Sequence, residues 1–148
     1  MSEISSARLM FPQLAGIYRA FAPYTETLIR VVAGLSLVPH GYPKFLNLSG
    51  TAAYLAKSGF EPGMLWAILL GLTEVGGGLL LALGLFTRLV CVPIFIFLAA
   101  AVAHHWQFGF VWNEGGFEYP LFWAIVVFHF LIHGGGRYSL DAVLGREI

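Results

Sequence analysis

Three residues stand in the middle of apolar runs, and their types are those that hold protons or grip polar groups. Glu74 sits inside Met64–Phe86, which carries no second charge. Arg30 interrupts the hydrophobic run Tyr24–Gly41, and His129 falls within Tyr119–His133. Counted inward at about 1.5 Å per residue, each lies about 15 Å from the outer end of its run. That common depth predicts a midplane cluster of Arg30, Glu74 and His129. A charge at such depth is disfavoured by roughly 2.5–3.5 kcal/mol unless it faces a partner. Arg30 is the expected partner of Glu74, since its planar fork can give a carboxylate two parallel hydrogen bonds. Gly71 and Gly78, at i−3 and i+4 from Glu74, form a small-residue face for a second helix to approach. Two readings stand side by side: a structural clamp, or a site where a buried acid exchanges a proton or meets a quinone headgroup.

A second group forms an expected outer polar layer: His40, Lys44, His104, His105 and Glu118, with Glu114 just outside. Glu118 and His129 are eleven residues apart, close to three helical turns, so they share a face and sketch a polar track toward the midplane. The bland reading is interfacial residues solvated by headgroups. No metal site is expected, because this group lacks tight ligand spacing such as His-x-x-x-His. His129 and His133 have i, i+4 spacing but no third ligand, and read as helix packing. No phosphate-binding glycine loop or nucleophile elbow occurs, and the residues themselves predict no cofactor.

The elements that must carry these side chains are helices in a membrane. Of 148 residues, 58% are apolar and 11% charged, against about 25% charged in soluble domains. Basic and acidic residues balance at 8 each, with no Lys/Arg cluster to bind nucleic acid. The single cysteine, Cys91, excludes an intrachain disulfide or a Cys-x-x-Cys pair and reads as an apolar filler. The polar start, Met1–Ser6, does not resemble a signal peptide.

The chain reads as one domain, residues 1–148, forming an antiparallel four-transmembrane-helix bundle. The expected spans are about 24–41, 64–86, 89–106 and 118–133. Residues 1–22 are expected to contain a short interfacial helix, at 8–21, and 49–59 a short outer helix. Residues 134–148 form a cytoplasmic tail in which Ser139 caps a terminal helix. Cytoplasmic termini place Arg8, Arg19, Arg88, Arg137 and Arg146 inside and Lys44 and Lys57 outside, as the positive-inside rule requires. Trp66, Trp106, Trp112 and Trp123 then fall toward the outer ends of the helices, as an aromatic belt would.

The order His40-Gly41-Tyr42-Pro43-Lys44, GTAAYLAKSGF (50–60), Glu74 before GGG, GLFTR (84–88), His104 and GGGRYSLD (134–141) resembles the DoxX family of small four-helix bacterial and archaeal membrane proteins. The likeness covers roughly Thr27–Leu144. It places a histidine-glycine-x-x-lysine signature on His40, Gly41 and Lys44, and the second-helix acid on Glu74. It implies an inner-membrane protein, with the lipid bilayer and other membrane subunits as partners. The role so implied is a redox-associated accessory one in a quinone-linked or other respiratory-type assembly, with quinone the cofactor to consider. Thiol-redox members are a weaker match, because this chain lacks paired cysteines. A non-catalytic assembly subunit, or a carrier moving a small solute or proton along the polar track, are the other readings.

Overall fold

The computed structural model describes residues 9–145, and these are helical throughout apart from turns and connecting loops. Six helices follow in order: α1 (Ala15–Leu46), α2 (Leu48–Lys57), α3 (Gly63–Leu83), α4 (Thr87–His105), α5 (Glu118–His133) and α6 (Leu140–Leu144). A 3-10 turn, Trp106–Phe108, prolongs α4, and α3 is interrupted by a π turn at Leu72–Gly77. Gly63–Leu83 and Thr87–Phe108 are long and apolar enough to cross a membrane, and Glu118–His133 is a shorter apolar helix.

α1 is longer than its hydrophobic run suggested. Its 32 residues continue through Pro23, Pro39 and Pro43. Proline removes an internal donor and normally kinks or ends a helix. The described part of the expected interfacial helix is therefore not separate: Ala15–Phe21 are the first turns of α1, after a 3-10 turn at Pro12–Leu14. Arg8 and Arg146 lie outside the described residues. At its other end α1 runs five residues past Gly41 to Leu46, so Lys44 stands in its last turn. The short helix expected at 49–59 is α2, capped by Asn47, whose Oδ1 accepts from the Gly50 amide at 3.0 Å.

α1 and α3 run antiparallel in near contact of their backbones. A Cβ on Gly34 would lie 2.5 Å from the Ala82 nitrogen and would also strike the Gly78 carbonyl oxygen. Gly41 abuts Glu74 and Val75, and Gly71 takes the Phe45 ring. The expected glycine face is thus present, and it fixes the register of the two helices. α4 packs mainly on α5, and a core of Ala33, Leu37, Leu81, Val90, Cys91, Ile94, Leu98, Ala124, Val127 and Phe130 joins the pairs. Large apolar side chains such as Leu28, Leu69, Ile96, Phe122 and Ile125 point outward while Arg30 and Glu74 are buried. Such a surface is one that lipid, rather than water, covers.

Candidate functional site

The antiparallel register decides where the charges go. Gly34 faces Gly78 and Gly41 faces Glu74, so Arg30 meets the end of α3 at Gly84. Glu74 and Gly84 are ten residues apart, about 15 Å along the helix. The expected Arg30–Glu74 pair is therefore not formed. Gly41, taken as the end of the first helix, is not its end, and the five extra residues shift Arg30 toward the opposite end of the bundle.

Lys44 takes the place expected for Arg30. Its ammonium lies 2.5 Å from Glu74 Oε2 and 2.9 Å from the His40 carbonyl oxygen, to both of which it donates. Glu74 is 2% exposed and Lys44 26%. Glu74 belongs to the π turn, a wider turn that appears mostly as a local bulge within an α-helix and is frequent at functional sites. Gly76 and Gly77 at the end of that turn, and Gly78 after it, leave no side chain to resist the altered spacing.

Around this pair lies a cavity of about 580 Å³ between α1, α4, α5 and the 106–117 loop. Its polar lining is Ser36, His40, Lys44, Glu74 and His105, and its aromatic walls are Phe97, Trp112, Tyr119 and Trp123. Volume and lining are those of a small-molecule site, mostly apolar with a few placed polar groups. His40 and Tyr119 rings meet across it at 6.0 Å. Trp123 is one turn deeper on α5, and its Nε1 is buried with no hydrogen-bond partner among the described residues.

The outer-layer residues divide. His40 and Lys44 line the cavity with Glu74. His105 also lines it, but its Nδ1 is 2.6 Å from the Gly115 carbonyl oxygen, and Glu118 Oε2 accepts from the Trp112 amide at 3.2 Å. These two fasten the loop over the cavity rather than converge on a common point. His104 turns to α2, where its Nε2 is 2.9 Å from the Tyr54 hydroxyl. Among the described residues no three His, Cys, Asp or Glu side chains are placed to hold a metal ion.

Arg30 and His129 belong to a second cluster at the far end, with two acids to which sequence reasoning gave no role. Arg30, 1% exposed, donates from Nη2 to the Tyr138 carbonyl oxygen at 2.9 Å and lies in the field of Asp141 and Glu26. His129 Nε2 is 3.7 Å from Glu26 Oε1, and its ring stacks on His133 at 4.3 Å. His129 is thus not level with Glu74. No run of hydrogen bonds among the described residues links Glu118 to His129, so the polar track is not built.

Asp141 organises this end. Its Oδ1 accepts from the Phe86 amide at 2.7 Å, and its Oδ2 from the Thr87 amide at 2.8 Å and the Thr87 hydroxyl at 2.7 Å. It thereby caps the start of α4 from the C-terminal tail, where a carboxylate also meets the positive helix end. Ser139 caps α6 as expected, accepting from the Ala142 amide at 3.1 Å. Phe86, at φ +51, is the one non-glycine residue with positive φ among the described residues, and Asp141 holds it there. Gly84 has φ +68, and a Cβ on it would strike the Arg30 guanidinium. GLFTR and GGGRYSLD are thus two halves of one contact. Co-occurrence of a strained turn and an Asp outside the spans was the available sign.

Comparison with known proteins agrees with these motifs. Residues 26–106 match the DoxX family. The chain is a member of the DoxX family. It is 34% identical over 130 residues to the inner membrane protein YphA of Escherichia coli, covering 84% of this chain and 93% of that one. It is 31% identical over 128 residues to an uncharacterized protein of Haemophilus influenzae, covering 82% of this chain and 91% of that one. No solved structure matches the chain. Membership in the DoxX family and likeness to an inner-membrane protein identify this chain as a multi-pass protein of the inner membrane, its apolar helices lying in the bilayer. The family match spans α1 to α4 and so contains Lys44 and Glu74, whereas the tail contact at Asp141 lies beyond it.

Proposed function

We propose that this DoxX protein is a redox-associated accessory component of a quinone-linked membrane assembly, and that its cavity receives a quinone headgroup beside Lys44 and Glu74. The observation that carries the reading is a buried carboxylate, set on a π turn and paired to a lysine, in the wall of an aromatic-lined cavity. A bound quinone would supply two-electron, two-proton redox chemistry. Lys44 offers an ammonium to a ring oxygen, while Glu74 holds that ammonium in place and can accept a proton. Phe97, Trp112 and Tyr119 offer flat faces to the ring, and the loop fastened by His105 and Glu118 limits water.

In this reading α1, α3, α4 and α5 each cross the bilayer as one domain, with both termini cytoplasmic. Residues before Pro23 follow the inner interface and residues 134–148 form the inner tail. α5 has 16 residues, about 24 Å of helix, and the glycines at either end extend its reach across a core of about 30 Å. The Lys44–Glu74 cavity then opens toward the outer half and the Asp141 contact closes the inner end. In this reading partner subunits supply the redox centres.

The test is binding of short-chain ubiquinone and menaquinone analogues to detergent-purified protein, read by quenching of Trp112 and Trp123 fluorescence. Saturable quenching in the wild type, weakened about tenfold or more in Glu74→Gln, is expected for a site that loses a charged partner. Wild-type protein that binds no quinone would end this reading.

A further inference from the structure

One face of α1 looks into the cavity with three polar side chains. Ser36, His40 and Lys44 follow at i, i+4 and i+8, so they stand in line about 6 Å apart, and all three line it. Lys44 is committed to Glu74 and to the His40 carbonyl oxygen. The His40 imidazole is placed from three sides. It grows from the same face as Lys44, its ring meets Tyr119 of α5 at 6.0 Å, and Glu74 of α3 lies in its field. All of these groups line the same cavity.

The chain has five histidines, and each of the other four turns a ring nitrogen to a protein partner. His104 Nε2 meets the Tyr54 hydroxyl, and His105 Nδ1 the Gly115 carbonyl oxygen. His133 Nδ1 meets the His129 carbonyl oxygen, and His129 Nε2 faces Glu26. Among the described residues, nothing hydrogen-bonds to either ring nitrogen of His40. The residue is also exposed, so its ring can exchange a proton with its surroundings as well as meet a ligand.

Imidazole is the side chain whose unperturbed charge changes between about pH 5 and 8. Neutral, it can accept from a hydroxyl; protonated, it only donates, and it donates more strongly to a carbonyl oxygen. A quinone presents carbonyl oxygens and a quinol presents hydroxyls, so such a ring tells the two apart.

We infer that His40 is a specificity residue that reads the oxidation state of the cavity's occupant: neutral, it accepts from a quinol hydroxyl, and protonated, it donates to a quinone carbonyl. This rests on the quinone reading above and adds which of the two ligand forms is held at a given pH. The charged and titratable groups facing His40 are Lys44 on α1, Glu74 on α3, His105 on α4 and Tyr119 on α5. The part of the loop that lines the cavity, Trp112, Gly115 and Gly116, adds none.

The test measures binding of one short-chain quinone and of its quinol, by calorimetry under nitrogen, on wild type and His40→Gln. Glutamine can donate and accept but does not titrate. Neither ligand ionises in the range used, since phenolic hydroxyls titrate at about pH 10. In the wild type, affinity for quinone relative to quinol should rise about tenfold from about pH 8 to about pH 5, the scale of one hydrogen bond gaining a charge. In His40→Gln that ratio should stay flat. A flat ratio in the wild type, with both ligands bound, overturns the inference and leaves the quinone reading standing. A slope that survives in His40→Gln also overturns it and assigns the titration to Glu74 or His105. Wild type that binds neither form ends both. The wild-type slope is read in unaltered protein and His40→Asn is a second variant that does not titrate, so poor folding of one variant does not spare the inference.

Discussion

The exchange of Arg30 for Lys44 as partner of Glu74 has an energetic signature that distinguishes the two pairings. Glu74 is 2% exposed and Lys44 26%, so the two ends of the pair are not equally dependent on each other. Lys44→Met leaves a buried carboxylate without its cation, a change that costs about 3–5 kcal/mol at buried pairs. Glu74→Gln keeps an oxygen beside the ammonium. Lys44 retains the His40 carbonyl oxygen and some exposure, so the loss should be about 1–2 kcal/mol, one charge-assisted bond reduced to a neutral one. Lys44→Met with Glu74→Met removes both charges together and should cost less than Lys44→Met alone. The readout is already in the chain. Cys91 is the single cysteine and is 0% exposed, so its labelling by a thiol reagent in mixed micelles reports unfolding. Arg30→Met combined with Glu74→Gln should be additive within about 0.5 kcal/mol, because the two lie on the order of 15 Å apart. Coupling between Arg30 and Glu74, or a Lys44→Met no more damaging than Glu74→Gln, would refute the register argument and restore the midplane cluster.

Three further outcomes follow from the same geometry. Asp141→Ala strips the acceptor from two amides and a hydroxyl at the start of α4 and should cost about 3 kcal/mol or more by the same labelling assay, against about 1 kcal/mol for Ser139→Ala. Gly34→Ala drives a methyl into the backbone of α3 and should destabilise by about 2–3 kcal/mol, whereas Gly76→Ala, with open space at its Cβ, should stay within about 1 kcal/mol of wild type. His105→Phe removes the hold on the Gly115 carbonyl and should speed both entry and release of a fluorescent quinone analogue while changing unfolding little; unchanged rates in stopped-flow quenching would show that the loop does not govern access.

What was legible in the sequence was set by hydrophobic period and by glycine. The apolar runs locate α3, α4 and α5 to within a few residues, because Pro62 and Pro120 stand just before a helix or in its first turn, where proline is tolerated. Gly71 and Gly78 announce the α1–α3 contact, since a glycine beside a buried acid has little other use in a helix interior. The start and end of α1 were not legible. Pro23 and Pro43 are strong stop signals in isolation, and the packing of α1 along α3 outweighs them. That error of length, together with α1 ending level with Gly71 and not with the start of α3, displaced Arg30 by about ten residues along α3 and produced the wrong ion pair. Glu26 and Asp141 were passed over because each stands near the edge of its segment, where a charge reads as solvated. Asp141 gains its role from a tertiary contact between the 84–87 turn and the tail, and Glu26 from its place beside His129 and Arg30; no local spacing carries either.

The two polar ends of the bundle differ in the space around their groups, and this difference guides where function is sought. At the Asp141 end, both carboxylate oxygens are engaged by α4 amides and Thr87, and glycines at 84 and 135 admit Arg30, Ser139 and Thr87 with no room for a side chain. Neutralising groups there should break the fold before it alters any activity. At the Lys44 end, the ion pair lines a cavity of about 580 Å³. Substitutions there have space to be tolerated, so loss of ligand binding can be separated from loss of structure. A screen that scored Asp141→Ala and Glu74→Gln side by side should therefore find the first absent from the membrane and the second present but deficient in quinone binding. Reversal of that order, with Glu74→Gln unfolded and Asp141→Ala folded but unable to bind, would place the functional end of the molecule at the tail.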